Sequence, residues 1–145
     1  MKSVMRYVSK LSKTLWDGQQ LVSGIGCQPK TAFDEFLSTK LLHRKDGGVM
    51  FYHMVQSFPK GANIDPRAAH EAAHRLAGYF DGCEVLVCTH IDREHIHSHC
   101  IINSVNFETG RKVTTLLGQM AGRILPTPHR TDANAVTASC TWRNT

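Results

Sequence analysis

The chain has 145 residues and a mass of 16.2 kDa, which suits a single domain. Its 17 Lys and Arg residues against 12 Asp and Glu give a net charge of +5 and a pI near 9.1, which permits an anionic partner but names none. With 41% hydrophobic and 20% charged residues, the composition is that of an ordinary globular protein rather than a disordered one.

The sequence also bears on where the protein works. No apolar run approaches the ~18–20 residues that a membrane-spanning helix needs. The N-terminus lacks the apolar stretch of a secretory signal, and the five cysteines lack the spacing of a disulfide framework. We therefore expect a cytoplasmic protein without membrane insertion.

The first third of the chain is predicted to be helical. Val4, Met5, Val8 and Leu11 recur at helical spacing and predict a short amphipathic helix within residues 1–14. A loop broken by glycine and proline follows, and residues 31–42 form the second predicted helix.

The middle of the chain reads strand, helix, strand, strand. Residues 49–58 are aromatic and β-branched, and an Asp-Pro pair at 65–66 opens a helix over 67–80. Residues 83–90 and 96–105 then predict an antiparallel hairpin with a short polar link. We expect an α+β fold, a mainly antiparallel sheet with helices on one face, followed by a poorly ordered tail over 113–145.

Four histidines fall in the hairpin, at His90, His95, His97 and His99. Side chains alternate along a strand, so those of His97 and His99 point to one face about 6–7 Å apart. The short link brings His90, at the end of the preceding strand, alongside them. Although a lone strand histidine is usually structural, these three can converge on one metal ion and leave positions open for water or phosphate.

Two further residues of the link belong to this prediction. Asp92 is placed either to orient a ligand imidazole or to accept a proton. His95 has the wrong parity for a ligand and is expected in a turn or in contact with substrate. The competing metal interpretation is a structural zinc site of Cys88, His90, His99 and Cys100, although His99 and Cys100 are adjacent and point to opposite faces.

The pattern H-x-D-x-x-H-x-H-x-H-x-x-x-N, which runs from His90 to Asn103, resembles the metal motif of conjugative relaxases. These are mobilisation nucleases of the MobA/VirD2-like type within the HUH endonucleases. Tyr7 followed by Lys13 and Thr14 is similar to the family's nucleophile motif, and residues 51–58 are similar to its tyrosine-histidine strand, which ends in Ser-Phe. The likeness covers about residues 4–112.

The resemblance implies a reaction. A relaxase nicks one strand of plasmid or transposon DNA at a transfer origin, and its tyrosine becomes joined to the 5′-phosphate while a 3′-hydroxyl is released. Tyr7 would be the nucleophile and Asp92 would help to activate it. His90, His97 and His99 would hold a divalent metal, with Mg²⁺ or Mn²⁺ expected and other metals allowed by an all-imidazole ligand set.

The same resemblance implies partners and contacts. Single-stranded DNA at the transfer origin would be the substrate, with accessory mobilisation proteins and a coupling protein as further partners. Ser57 would position a backbone phosphate. The other residues assigned to the DNA are Lys13, Thr14, His95 and Asn103.

Other interpretations stay open. Relaxases generally carry a strand before the tyrosine helix, and only six residues precede Tyr7, so we expect a relaxase domain over 1–112 that is incomplete at both ends. Such a chain could be a non-catalytic remnant that binds DNA or metal only. An HUH replication initiator and a metallohydrolase of small phosphoesters are further alternatives; the first usually places its tyrosine after the histidines, where this chain has none.

Overall fold

A computed structural model describes residues 1–113 and 139–144. The N-terminal helix predicted within residues 1–14 is present as two pieces, α1 (Lys2–Val8) and α2 (Leu11–Thr14). The loop predicted after it contains three short strands, β1 (Leu15–Trp16), β2 (Gln19–Gln20) and β3 (Val22–Ile25). Asp17 and Gly18, both with positive φ, form the tight turn between β1 and β2.

The next elements follow the predicted order. They are α3 (Ala32–Leu42), β4 (Phe51–Ser57), α4 (Pro66–Ala77), β5 (Val85–His90) and β6 (His97–Asn103). A strand that was not predicted, β7 (Ser139–Asn144), follows them. Asp65 caps α4, since its carboxylate accepts hydrogen bonds from the amides of Arg67 and Ala68. Of these helices, none is long and apolar enough to cross a bilayer, as judged on the residues that the structure describes.

Five strands form one antiparallel sheet in the order β3-β5-β6-β4-β7. The predicted hairpin of β5 and β6 is at its centre, and β5 is buried at every position because it has neighbours on both edges and both faces. Most of the tail for which we expected poor order, 114–138 and 145, lies outside the described residues. The six described residues at its end form β7, which pairs with β4.

The α+β class and the antiparallel sheet are confirmed, but helices cover both faces of the sheet rather than one. On one face, Ala73 and Ala77 of α4 pack against Val87, Cys100 and Ile102. On the other, α1 and α3 cover one end of the sheet with a second cluster, which comprises Met5, Val8, Ala32, Phe36, Phe51, Leu86, Cys88 and Ile101. Because β5 and β6 alternate apolar residues toward both faces, each face needs a cover.

Candidate metal centre and catalytic site

Three histidines converge where β5 ends and β6 begins. His90 is paired with His97 across the two strands, and His99 follows on the same face of β6. The ring centroids lie 5.0 Å apart for His90 and His97, 4.4 Å for His90 and His99, and 5.1 Å for His97 and His99. One nitrogen from each ring lies within 4.8 Å of the others, so the predicted clustering of the three histidines is present.

Each of these rings is oriented by a hydrogen bond on its other nitrogen. His90 donates from Nε2 to the carbonyl oxygen of Val8 at 2.8 Å, and His97 donates from Nδ1 to the carbonyl oxygen of His95 at 3.3 Å. Nδ1 of His99 lies 2.8 Å from Nε2 of His53 on β4. These contacts leave Nδ1 of His90 and Nε2 of His97 and His99 free to bind a metal. In metal sites the second nitrogen of a histidine ligand is usually hydrogen-bonded in this way.

The electrostatics of the cluster favour neutral rings. Burial lowers the pKa of His90 and of His97, and it lowers that of His99 to about 3, with the neighbouring histidines adding to the effect. A neutral imidazole is the form that binds a metal ion. Three neutral nitrogen donors with fixed ring orientations therefore fit a divalent metal, and the donor set by itself does not select one ion.

Tyr7 lies at the open side of this cluster. It is the last residue but one of α1, and its ring centroid is 6.1 Å from that of His90. Its position on the helix alone would suggest a partly buried packing residue. Tyr7 is instead 52% exposed and does not belong to the core. The other two tyrosines are placed differently: Tyr52 is buried and donates to the carbonyl of Val113 at 2.6 Å, and Tyr79 follows α4.

Lys13 and Asp92 form an ion pair beside Tyr7. The ammonium of Lys13 donates to the carboxylate of Asp92 and lies 5.0 Å from the centroid of the Tyr7 ring. The backbone supports the pair, because the Ile91 amide donates to the Lys13 carbonyl at 2.9 Å. In the described part of the chain Asp92 has no hydrogen bond to an imidazole, so its partner is Lys13 rather than a ligand histidine.

Each member of the Lys13–Asp92 pair stabilises the charged form of the other. Partial burial acts to raise the pKa of Asp92, but the hydrogen bond and charge of Lys13 outweigh it and leave that pKa below its usual value. The hydrogen bond that Lys13 donates to Asp92 in turn raises the pKa of Lys13. At neutral pH the pair is therefore a carboxylate and an ammonium, and Asp92 is a weak proton acceptor.

Besides Lys13, two of the residues predicted to contact DNA lie at the site. Ser57 ends β4 directly opposite His97, and directly opposed residues in a sheet share a face, so it borders the cluster. The ring of His95 is 5.4 Å from that of His97, and its carbonyl orients that ring. Both side chains are partly exposed and can be reached from solvent.

Two others lie in the interior. The hydroxyl of Thr14 is fully buried, donates to the carbonyl of Lys10 and accepts from Gln20, so it holds the turn after α2. Asn103 is also fully buried: its amide donates to Phe36 and Glu84. Short polar residues serve turns and interiors as readily as surfaces, and the structure gives Thr14 and Asn103 no face that DNA could contact.

The alternative zinc site is not formed. Cys88 packs in the cluster under α1 and α3, whereas Cys100 packs in the cluster under α4 on the opposite face of the sheet. The two thiols therefore cannot meet at one ion together with His90 and His99. Burial also raises the pKa of Cys88, which opposes formation of the thiolate that zinc requires.

Sequence reasoning missed His53. It lies on the same face of β4 as Ser57, and its contact with His99 depends on the pairing of Val55 with His99. The signal available was parity, because positions 53, 55 and 57 share one face of a strand. Nothing local revealed that β4 would be the neighbour of β6.

Comparison with known proteins gives the family. The model of the MobA/VirD2-like relaxase nuclease domain matches residues 7–117, which include Tyr7, the Lys13–Asp92 pair and all three histidines. The chain is 32% identical over 139 residues to the group II intron-interrupted relaxase LtrB of Lactococcus lactis subsp. cremoris, an alignment that covers 77% of this chain and 24% of that protein.

It is also similar to two Staphylococcus aureus proteins named rlx. The identities are 38% and 35% over 91 residues, which cover 62% of this chain and 28% and 29% of those proteins. The chain thus spans about a quarter of the length of these relatives. No solved structure was found to match it. Since the family match covers most of the chain and falls on the residues that form the site, the protein belongs to the MobA/VirD2-like relaxase nuclease domain family.

Proposed function

We propose that the chain is a DNA relaxase that nicks one strand at a plasmid or transposon transfer origin by metal-assisted attack of Tyr7. One observation carries this proposal above the others: a half-exposed tyrosine lies against a cluster of three neutral histidines, with an ammonium beside its ring. A phenol as nucleophile, a site for a cation and an open side are what transesterification of a phosphodiester needs.

His90, His97 and His99 would hold the metal, for which Mg²⁺ or Mn²⁺ is our proposal. When bound, the ion would withdraw charge from the non-bridging oxygens of the scissile phosphate. The contribution of the chain is to present three ligand nitrogens with fixed orientation and no proton to displace. The hydrogen bonds to Val8, His95 and His53 provide that orientation.

Tyr7 would carry out the covalent step. Its phenolic oxygen forms a bond to phosphorus while the bond from phosphorus to the 3′-oxygen breaks. The phenolic proton passes to solvent, and the departing 3′-oxygen takes up a proton to become a hydroxyl. One phosphodiester replaces another, so the link is preserved for later rejoining.

Lys13 and Asp92 would assist that step. An ammonium near the ring stabilises the phenolate that the attack requires, and the Asp92 carboxylate keeps the ammonium in place. Asp92 would thus act on Tyr7 through Lys13 rather than through a ligand histidine. This role differs from the two that the sequence suggested, which were to orient a ligand imidazole and to accept a proton.

Single-stranded DNA would enter from the exposed side of Tyr7. Ser57 and His95 border the cluster there and are our candidates for contacts to the backbone. Accessory mobilisation proteins and a coupling protein remain proposed partners. Neither has a binding surface assigned on the described residues.

The test is a covalent adduct. Overlapping single-stranded oligonucleotides from the genetic element that encodes the chain are incubated with it and Mn²⁺, and adducts that survive a denaturing gel are sequenced. We expect an adduct that EDTA abolishes and that is lost in Tyr7→Phe and His97→Ala. Tyr79→Phe, at an exposed tyrosine outside the site, is the matched control and keeps the adduct. An adduct that persists in Tyr7→Phe would overturn the proposal.

A further inference from the structure

A chain of hydrogen bonds runs behind the histidine cluster, on the opposite face of the sheet. Nδ1 of His70 on α4 lies 2.8 Å from the hydroxyl of Thr89, and that hydroxyl lies 2.8 Å from the hydroxyl of Ser98. Thr89 and Ser98 are both fully buried. A buried polar group destabilises the fold unless it is hydrogen-bonded. The two hydroxyls are therefore held by hydrogen bonds to each other and to His70.

The position of the two hydroxyls is specific. Thr89 precedes His90 on β5, and Ser98 lies between His97 and His99 on β6. Thr89 and Ser98 are direct cross-strand partners, next to the partner pair of His90 and His97. Their side chains point toward α4 while the three imidazoles point to the other face, because side chains alternate along a strand.

We propose that His70 is a positioning residue for the metal centre, which it holds through Thr89 and Ser98. The inference rests on the proposed function, since it takes the three histidines as metal ligands. The hydroxyl pair joins the two ligand-bearing strands directly behind the ligands, and the ring of His70 ties that pair to α4. Loss of the ring would let the hydroxyls rotate and the two strands shift, and three ligands that must meet at one point tolerate little shift.

The helix that provides His70 is itself firmly placed. Ala69 and Ala73, on either side of it in α4, are fully buried, and Ala73 packs in the cluster between α4 and the sheet. Burial lowers the pKa of His70, with the nearby His74 adding to that effect, so the ring is neutral at pH 7 and acts as a hydrogen-bonding group rather than a charge.

The same helix offers a matched control one turn later. Nδ1 of His74 lies 2.9 Å from the hydroxyl of Ser23 on β3. This bond has the same chemistry and similar burial, and it also joins α4 to the sheet. However, β3 carries none of the three histidines. Loss of the His74 bond should therefore affect stability without affecting the metal.

The experiment measures Mn²⁺ affinity by calorimetry, together with the melting temperature of the metal-free protein. We expect His70→Leu to weaken Mn²⁺ binding about tenfold, at the lower end of the range for outer-shell residues because it acts through two intermediates. We expect His74→Leu to change the affinity less than about twofold while lowering the melting temperature to a similar extent. His70→Asn, whose amide can replace Nδ1, should recover most of the affinity.

Equal losses of affinity in His70→Leu and His74→Leu would overturn the inference, and so would an unchanged affinity in His70→Leu. If His70→Leu does not fold, Ser98→Ala removes the last hydroxyl of the His70–Thr89–Ser98 hydrogen bonds. The same tenfold loss of Mn²⁺ affinity is expected in that variant. A wild-type chain that binds no Mn²⁺ refutes the proposed metal centre and this inference with it. If the wild type binds Mn²⁺ and forms the DNA adduct but Ser98→Ala and His70→Leu bind Mn²⁺ as tightly as the wild type, only this inference fails.

Discussion

Lys13 donates a hydrogen bond to Asp92, 79 residues later in the chain, and the same ammonium lies 5.0 Å from the ring centroid of Tyr7. The pair joins the helical N-terminus, which carries the proposed nucleophile, to the link between the two strands that carry the three histidines. The side chain of Lys13 is only 14% exposed and that of Asp92 only 24%. Because the ammonium also lies over the ring of Tyr7, the pair is placed to act on Tyr7 in addition to contributing surface charge.

The first prediction concerns the ammonium. We expect Lys13→Met to slow adduct formation at least tenfold, or about 1.4 kcal/mol in activation free energy, because the phenolate of Tyr7 loses its neighbouring cation. The measurement is the single-turnover rate with saturating oligonucleotide, alongside DNA affinity by fluorescence anisotropy. Lys10→Met, at an exposed lysine of the same segment, removes an equal charge and should leave the rate within about twofold. Equal slowing in both variants would reduce Lys13 to a phosphate contact.

The second prediction concerns the carboxylate. Asp92→Asn should slow adduct formation about three- to tenfold, because Lys13 is no longer held by a charged partner. If Asp92 acts only through Lys13, the double variant should be no slower than Lys13→Met alone. Glu94→Gln is the control within the same link, since Glu94 pairs with Lys60 on the surface. Losses that multiply in the double variant would show that Asp92 acts on Tyr7 or the histidines by another route.

The third prediction concerns His53. Its Nε2 lies 2.8 Å from Nδ1 of His99. If Nε2 of His99 binds a metal, Nδ1 of His99 carries the proton and would donate a hydrogen bond to Nε2 of His53. We expect His53→Leu to weaken Mn²⁺ or Co²⁺ binding 10- to 100-fold, the range typical of such partners. His53→Gln can place an oxygen near the position of Nε2 and should restore most of the affinity. Calorimetry with Mn²⁺ and visible absorption with Co²⁺ provide independent readings, and wild-type affinity in His53→Leu would contradict the assignment.

The part of the site that the sequence predicted is the part set by local geometry. Alternation along β6 places His97 and His99 on one face, and a link of six residues lets His90 come beside them. The contact of His53 with His99 is different, because it depends on the order of strands in the sheet. The Lys13–Asp92 pair likewise depends on how α2 packs at the end of β5. Neither relationship has a period or a motif that a local pattern could reveal.

Burial bears on two of the residues that the sequence assigned to DNA contacts, Thr14 and Asn103. Thr14 and Asn103 belong to stretches that resemble family motifs, and a polar side chain in a motif suggests contact with substrate. In the structure Thr14 holds a turn and Asn103 holds a buried network. The short strands β1–β3 were missed for a related reason: Ser23 and Gly24 have little strand preference of their own, and β3 exists because β5 offers an edge to pair with.

The network around Asn103 leads to the last prediction. Lys40 on α3 is fully buried, and its ammonium donates to Asn103 and to Ser104, the latter at 2.8 Å. Burial, with a contribution from the charge of Lys112, lowers the pKa of Lys40 from 10.5 to about 8. The unfolded chain keeps the ordinary value. Between these two values the unfolded state binds more protons than the folded state, so this group makes stability rise with pH.

We therefore expect the free energy of unfolding of the wild type to gain about 1 kcal/mol between pH 7.5 and pH 9 relative to Lys40→Met, in which the group is absent. The variant is needed because buried thiols act in the opposite sense at higher pH: burial raises the pKa of Cys83 to about 11. Most of this contribution is common to both proteins, since burial is its largest cause and the charge of Lys40 is its smallest. Urea unfolding at the two pH values measures the difference. Lys40→Met should also be less stable than the wild type at both, since Asn103 loses its donor in the interior. Parallel pH dependences in the two proteins would show that Lys40 keeps its proton through this range, and that its hydrogen bonds to Asn103 and Ser104 offset the cost of burial.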